Sequence, residues 1–571
     1  MNLWHRRLLL LVLVTISEGN LNVLLIVADD LRPSLGCYGY EPLITPNIDL
    51  LASQSVVFNR TYAQQAICGP SRASFLTSRR PNTTHVYDQH TYWRKKGGNF
   101  TTLPQHFKNN GYVTFSVGKI FHPGAASGKT DDYPYSWSFP PYHPSTQQYK
   151  MAKQYKDGRR LIPSIQQYPR SVPPYHPSTQ LQYKMARNIR WLRSVPPYHP
   201  STQQYKMAKV CPGPDGKLYM NIVCPVDVTA MPEKTLPDLQ STQHALQIMH
   251  NVSRHPVQPF FLAVGYHKPH IPLKYPKEYL NLYPLDKVHL APDPSLPSKL
   301  PLVAWNPWAD LRKRDDVKML NVSFPYGPLP KHYQLLVRQS YYAATSYMDD
   351  QVGQLLKGLE KHNLSSNTVI VFMGDHGWSL GEHQEWSKYS NFEVATRVPL
   401  IIYVPGLTNK GQNLHRKFIF DRNFINNDNY RVTNALVELV DVFPTISELS
   451  GIKVPELCPD NDSDIELCTE GTIQNTCGYC NTTRPLSVSR YRNDSMREQR
   501  TKSIRKPGYN TLPNRKYTTN TIPVDMFANE RSARAIVRVV ERLVHVQNCK
   551  EDVDNIYENL IDLVTDEMNE N

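Results

Sequence analysis

The stretch Asn22-Val23-Leu24-Leu25-Ile26-Val27-Ala28, closed by Asp29-Asp30, decides the fold of this chain. An unbroken apolar run of this length, with no alternation of polar residues, belongs to a strand buried on both faces, as in a parallel sheet covered by helices. The same signal returns on either side of it. Leu103 to Asn109 predicts a short helix stopped by Gly111, and Tyr112 to Val117 predicts the next strand. Pro259 to Val264, Thr368 to Met373 and Pro399 to Val404 predict further strands, while Tyr333 to Leu359 and Val437 to Leu449 predict helices. Strands alternating with helices predict an α/β fold, an open and mostly parallel sheet flanked by helices. Sites in such sheets lie beyond the carboxyl ends of the strands. Three predicted strand ends carry Asp29-Asp30, Asp375-His376 and Tyr266-His267-Lys268-Pro269-His270, which puts the chemistry at that edge.

The rest of the 571 residues is organised around that core, enough chain for a large domain and a smaller one. A content of 40% hydrophobic and 10% aromatic residues excludes wholesale disorder. Residues 1–19 read as a secretory signal peptide, with His5-Arg6-Arg7 ahead of the apolar run Leu8 to Val14 and small residues after it. No later stretch approaches a bilayer span, so the mature chain is expected to have no membrane span. Nine Asn-x-Ser/Thr sequons, at Asn59, Asn82, Asn99, Asn251, Asn321, Asn363, Asn461, Asn481 and Asn493, fit a lumenal or extracellular glycoprotein. In an oxidising compartment, Cys211 with Cys224 and Cys458 with Cys468 are expected local disulfides. Cys477 and Cys480 form a lone CxxC with no second pair to complete a zinc site, and Cys37 and Cys549 have no evident local partner.

A polar repeat breaks the α/β pattern at residues 140–209. Pro140 to Lys153 recurs letter for letter at Pro196 to Lys209, with a close copy from Pro173 to Arg187. The units lack the apolar period of a solenoid and read as an inserted loop without its own core. Twelve Lys and Arg face only Asp157 there, which accounts for most of the formal net charge of +14. Such a surface could hold an anionic polymer, although no nucleic-acid motif accompanies it and none is expected as a partner. A solvated loop with no selected role is the simpler reading.

The run Cys68-Gly69-Pro70-Ser71-Arg72, followed by Leu76-Thr77-Ser78-Arg79, resembles the signature of the sulfatase family. In that family the cysteine is oxidised to formylglycine, whose hydrated aldehyde is the nucleophile. A geminal diol can attack sulfur and later eliminate sulfate by collapsing to the aldehyde, so water need not attack sulfur. Arg72 lies one helical turn on, and a helix start offers N–H groups to negative charge. Asp29 and Asp30 are adjacent carboxylates that repel unless a cation separates them; alone such a pair is often a solvated turn, but Asp375 after a second apolar strand favours a metal. Oxygen-rich ligands favour calcium or magnesium over zinc, and calcium suits a larger cage, here Asp29, Asp30, Cys68 as its formylglycine and Asp375, with His376 near the metal or the nucleophile. Lys119, His122, His267 and Lys388 fall where a sulfate ester needs point charges and a proton donor.

The resemblance, carried by Asn22 to Leu25, Asp29 to Gly39, Tyr133 to Pro144, Gly265 to Pro272 and Asp375 to Phe392, covers roughly Asn22 to Pro144 and Cys211 to Pro405 with a weaker tail to Cys468, and is nearest to the branch of sulfatases that acts on 2-sulfated iduronate. It implies an alkaline-phosphatase-like α/β catalytic domain over 20–455, carrying the insertion, and a smaller, divergent α+β subdomain over 456–571. It also implies one calcium ion at Asp29, Asp30, Asp375 and His376, nucleophile Cys68, and sulfate contacts from Arg72, Lys119, His122, His267 and Lys388. The expected reaction removes the 2-O-sulfate of iduronate from heparan and dermatan sulfate in the lysosome, after a formylglycine-generating enzyme has acted on Cys68; a secreted enzyme is the variant of that location. Gly69 stands where the family has Ala, Ser or Thr, and Ser78 where it has glycine. Three readings compete: a phosphatase or phosphodiesterase of the same superfold, which would place Ser or Thr at position 68 and bind two zinc ions, a non-catalytic or impaired binder of sulfated polysaccharide, and a sulfatase with a different sugar specificity.

Overall fold

Strand β1, Asn22–Asp29, is buried along its whole length and lies inside a seven-stranded sheet. The computed structural model describes residues 20–40, 42–148, 209–254, 258–408, 418–421, 431–459 and 465–471. The chain divides into two units, Met1–Ile473 and Gln474–Asn571, and every described residue belongs to the first. The expected signal peptide, the bulk of the repeat, Cys477, Cys480, Cys549 and most of the expected C-terminal subdomain lie outside the described residues.

The other strands are β2 (Val56–Tyr62), β3 (Val113–Gly118), β4 (Phe260–Pro269), β5 (Thr368–Gly374), β6 (Arg397–Tyr403) and β7 (Arg431–Glu438), ordered β7-β2-β6-β5-β1-β4-β3. β1 pairs in parallel with β4 and β5, β4 with β3, and β7 with β2; only β6 runs against its neighbours β2 and β5. The sheet is therefore α/β and mostly parallel, as the apolar runs predict. Because β1 has β4 on one side and β5 on the other, chain ends from both halves open at the carboxyl edge of β1.

Helices cover both faces: α1 (Pro46–Ser53), α2 (Cys68–Thr77), α3 (Leu103–Asn109), α4 (Pro237–Arg254), α5 (Lys331–Lys361) and α6 (Val442–Leu449). α3 starts where expected because Thr102 and Gln105 form a reciprocal capping box. α5 runs for 31 residues and buries Tyr341, Tyr347, Met348, Val352 and Leu355 in the core shared with β1 and β4.

Two expectations change. The predicted helix from Val437 is a strand up to Glu438, paired with β2; Glu438 and Asp441 then cap each other and the helix proper begins at Val442. The repeat also starts inside the core: Tyr142 N–H donates to the Ser116 carbonyl at 2.9 Å, the Gly118 N–H to the Tyr142 carbonyl at 2.9 Å, and His143 bonds Asp131 at 2.7 Å. The expected bridges Cys211–Cys224 and Cys458–Cys468 are formed, and Cys37 is a buried thiol. No helix among the described residues is long and apolar enough to cross a membrane.

Candidate active site

The carboxyl edge of the sheet gathers side chains from five segments. β1 ends in Asp29 and Asp30, β5 in Asp375 and His376, β3 leads into Lys119 and His122, β4 leads into His270, and the loop before β6 carries Lys388. α2 begins with Cys68 and all ten of its residues are buried, so its first turn faces the same point.

Cys68 stands at the centre. Its Sγ lies 3.3 Å from Asp29 Oδ1, 3.2 Å from His376 Nε2 and 3.1 Å from Lys388 Nζ. Lys388 also donates to Asp30 Oδ1 at 2.7 Å, and Lys119 Nζ to Asp29 Oδ2 at 2.5 Å. Arg72 is fully buried: its Nε donates to Asp375 Oδ2 at 2.9 Å, a terminal nitrogen lies 3.5 Å from Asp29, and another donates to the Lys119 and Ile120 carbonyls at 2.5 and 2.8 Å. That network explains the Cys-x-Pro-Ser-Arg spacing. One helical turn carries the chain from Cys68 to Arg72, which reaches across to two strand ends.

Charge is finely balanced there. Burial pushes the Asp29 carboxyl up, but Lys119, His270, Arg72 and Lys388 outweigh it and hold Asp29 well below the usual carboxylate range. Burial and the neighbouring Asp29 push Asp30 up to about 7 against Lys388. Burial opposes a charge on His376, yet Asp375 lifts it to about 9. Burial and Asp29 oppose the Cys68 thiolate, and Lys119 with Lys388 prevail to lower the thiol. His122 and His270 are driven well below the ordinary histidine value, first by burial.

Ligand atoms of Asp29, Asp30, Cys68 and His376 all lie within 4.8 Å of one another and are buried, so the four could hold a metal ion. Asp30 Oδ2 is buried without a hydrogen-bond partner, an acceptor left over in this cluster. A divalent cation fits: hard oxygen donors converge, and it would relieve the crowding that raises Asp30. Asp375 stands beside them, 3.6 Å from His376 Nε2, with its carboxylate shared between Arg72 and the Asp30 N–H.

Of the histidines on the Tyr266–His270 run, the structure brings His270 to this cluster and turns His267 aside. His270 Nε2 is 3.7 Å from Asp30 Oδ2. His267 instead meets Asp238 at the start of α4, whose carboxylate accepts from the His267 and Lys268 N–H groups at 2.9 and 3.0 Å and lies 3.3 Å from His267 Nδ1. Lys268 Nζ donates to the His270 carbonyl and, at 2.8 Å, to that of Pro272, fixing the turn that presents His270. Alternation along β4 points to His267 until the register shifts opposite Asp29, which pairs with Pro269. Trp378 forms a wall, its ring 5.6 Å from Lys388 Nζ and 6.5 Å from the His270 ring.

A family model described as Sulfatase matches residues 21–452. The chain is 50% identical to iduronate 2-sulfatase of Mus musculus over 465 residues, 80% of this chain and 74% of that one. It is 50% identical to iduronate 2-sulfatase of Homo sapiens over 456 residues, 79% of this chain and 72% of that one. Among solved structures, a phosphonate monoester hydrolase from Silicibacter pomeroyi superposes with a TM-score of 0.46 at 20% identity, covering 76% of this chain and 74% of that one. With the signature on α2, the acidic strand ends and a family match over three quarters of its length, this chain belongs to the sulfatase family.

Proposed function

We propose that this chain is a sulfuric ester hydrolase that removes the 2-O-sulfate of iduronate from heparan and dermatan sulfate. The convergence of Cys68, Asp29, Asp30, His376, Lys119 and Lys388 carries the reaction type, and the half-identity to the mouse and human iduronate 2-sulfatases carries the substrate.

Cys68, converted to formylglycine by a formylglycine-generating enzyme, supplies a hydrated aldehyde as nucleophile. Calcium held by Asp29, Asp30, Asp375 and His376, with the modified residue 68, supplies positive charge for the sulfate oxygens. The remaining work falls to the chain's own side chains. Lys119 and Lys388 place point charges beside residue 68, and the first turn of α2 turns its N–H groups the same way. Arg72 holds Asp29 and Asp375 in place while balancing their charge. His122 and His270 are the proton donors for the departing sugar oxygen. Buried and surrounded by cations they are neutral when the site is empty, and the negative charge of an arriving sulfate ester raises their proton affinity. His267 positions that turn through Asp238.

The wider assignment follows from the same reading: residues 1–19 as signal peptide, 20–455 as catalytic domain with the basic insertion at 140–209, 456–571 as a C-terminal subdomain, and a glycosylated lysosomal enzyme as product. Mass spectrometry of the peptide holding Cys68, from cells competent for the conversion, is expected to find the aldehyde or its hydrate. Purified protein is expected to desulfate a 2-sulfated iduronate disaccharide and to spare a 6-sulfated glucosamine one. An unmodified thiol, or the reverse preference, overturns the reading.

A further inference from the structure

The loop carrying Lys388 is laced to a second loop, residues 305–316, that the chemistry above does not use. Trp305 Nε1 donates to the His383 carbonyl at 3.1 Å, Trp308 Nε1 to the Gln384 carbonyl at 3.0 Å, and Asn306 N–H to Glu385 Oε1 at 2.6 Å. Ser387 Oγ donates to Asp310 Oδ2 at 3.0 Å, and the Tyr389 hydroxyl lies 3.5 Å from the same oxygen. Tyr389 thus reaches from the reaction centre to this loop. Its N–H bonds the Ala66 carbonyl, two residues before Cys68, and 41% of the residue remains exposed.

Arg314, on this second loop, is nine-tenths buried, and its Nε has no hydrogen-bond partner. Its guanidinium makes no ion pair among the described residues, although carboxylates surround it. Asp315 is taken by the Met220 N–H at 2.8 Å, and Asp316 by the Ile222 and Val223 N–H groups at 2.7 and 3.1 Å. Asp310 gives one oxygen to Ser387, and its other oxygen, Oδ1, is buried and equally unpartnered. Burial works against the charge on Arg314 while Asp310, Asp316, Tyr389 and Asp315 favour it, and the contacts of Ser387 and Tyr389 with Asp310 tie the loop of Arg314 to that of Lys388. A buried guanidinium nitrogen without a partner is costly, and a chain keeps one where something else supplies the acceptor.

We propose that Arg314, with Asp310 and Tyr389 beside it, forms a subsite for the carboxylate of the uronate whose sulfate ester lies at residue 68. The proposal rests on the substrate reading above and extends it. That sugar carries two anions. The sulfate is met by Lys119 and Lys388, which leaves the carboxylate in need of a cation of its own. A guanidinium fork matches a carboxylate bidentately and discriminates it from a neutral hydroxymethyl group. Asp310 Oδ1 accepts from a ring hydroxyl, and the Tyr389 ring, whose hydroxyl lies beside Asp310, backs the sugar between the two anions.

The test compares three substrates with the intact mature enzyme: a 2-sulfated iduronate disaccharide, its carboxyl-reduced analogue, and an aryl sulfate. The wild type is expected to prefer the carboxylated sugar through KM. In Arg314→Gln the ratio of kcat/KM for the carboxylated over the reduced sugar falls about 10- to 100-fold, the worth of a charged hydrogen-bonded pair. Arg314→Lys, which keeps the charge without the fork, recovers part of that ratio. Thermal unfolding of both variants separates a folding defect from a binding one, because the ratio is read within one preparation. An unchanged ratio in a folded Arg314→Gln, or a wild type indifferent to the carboxylate, overturns the subsite while the substrate reading stands. A wild type that cleaves only the aryl sulfate overturns the substrate reading and the subsite with it.

Discussion

Cys68 was legible as a single residue because everything that marks it is local: five positions in a row and a Leu-Thr-x-Arg one helix later. His270 was not, because which histidine of a strand end faces a site depends on parity counted from the core, and the parity breaks at the register shift opposite Asp29. The two rings make different predictions. Replacing His270 by Gln removes a ring beside Asp30 and is expected to lower kcat by about 10²- to 10⁴-fold, the usual weight of a general acid. Replacing His267 by Gln takes a ring from Asp238, whose carboxylate keeps its two backbone donors, and is expected to cost less than about tenfold in kcat. Steady-state rates on an aryl sulfate and on a poorer leaving group distinguish them. A His270 variant as active as wild type on the poorer leaving group would sink the acid role.

At the scale of elements, the long buried strands β1, β4 and β5 declared themselves by composition, since a strand covered on both faces has no room for polar residues. β2 and β7 did not. Val56–Tyr62 turns half polar after Phe58, and Arg431–Glu438 is only partly buried, so neither carries a continuous apolar run. α2 shows how a departure from the family signature is accommodated. A Cβ on Gly69 would sit 2.4 Å from the Asp88 carbonyl oxygen, so the path of residues 88–89 here is built around a glycine. Ser78, at a positive φ of 53° that suits glycine, uses its hydroxyl instead to hold the Val440 carbonyl and Thr469 at 2.6 and 2.7 Å. Gly69→Ala is therefore expected to destabilise by about 1–3 kcal/mol through overpacking, despite matching the family. Ser78→Gly is expected to lose about 1 kcal/mol per hydrogen bond and to regain a similar amount from relief at the left-handed position. Urea unfolding of both variants checks the order, and a neutral Gly69→Ala would show that residues 88–89 give way.

For the whole molecule, the fold brings four groups able to hold a metal ion, separated by up to hundreds of positions, into one buried cluster, a convergence that pattern alone implied only through strand ends. If a divalent cation occupies it, metal binding adds to folding stability by mass action, about 2.7 kcal/mol at a hundredfold excess over Kd. Chelation is expected to lower the unfolding midpoint and abolish turnover together, with calcium restoring both; a midpoint indifferent to chelator would count against the metal. A second long-range feature sets a clock. The carboxyl end of α2 is closed by the segment that holds Cys458–Cys468: Ser78 bonds Thr469, 391 residues downstream, and Arg79 donates to the Cys468 carbonyl. In the folded chain Cys68, at the other end of the same helix, is 1% exposed. At about 5–20 residues per second of synthesis, roughly 20–80 s separate the emergence of Ser78 from that of Thr469. Under the proposed conversion, the modifying enzyme is therefore expected to act on Cys68 before folding is complete, while the downstream segments are still emerging.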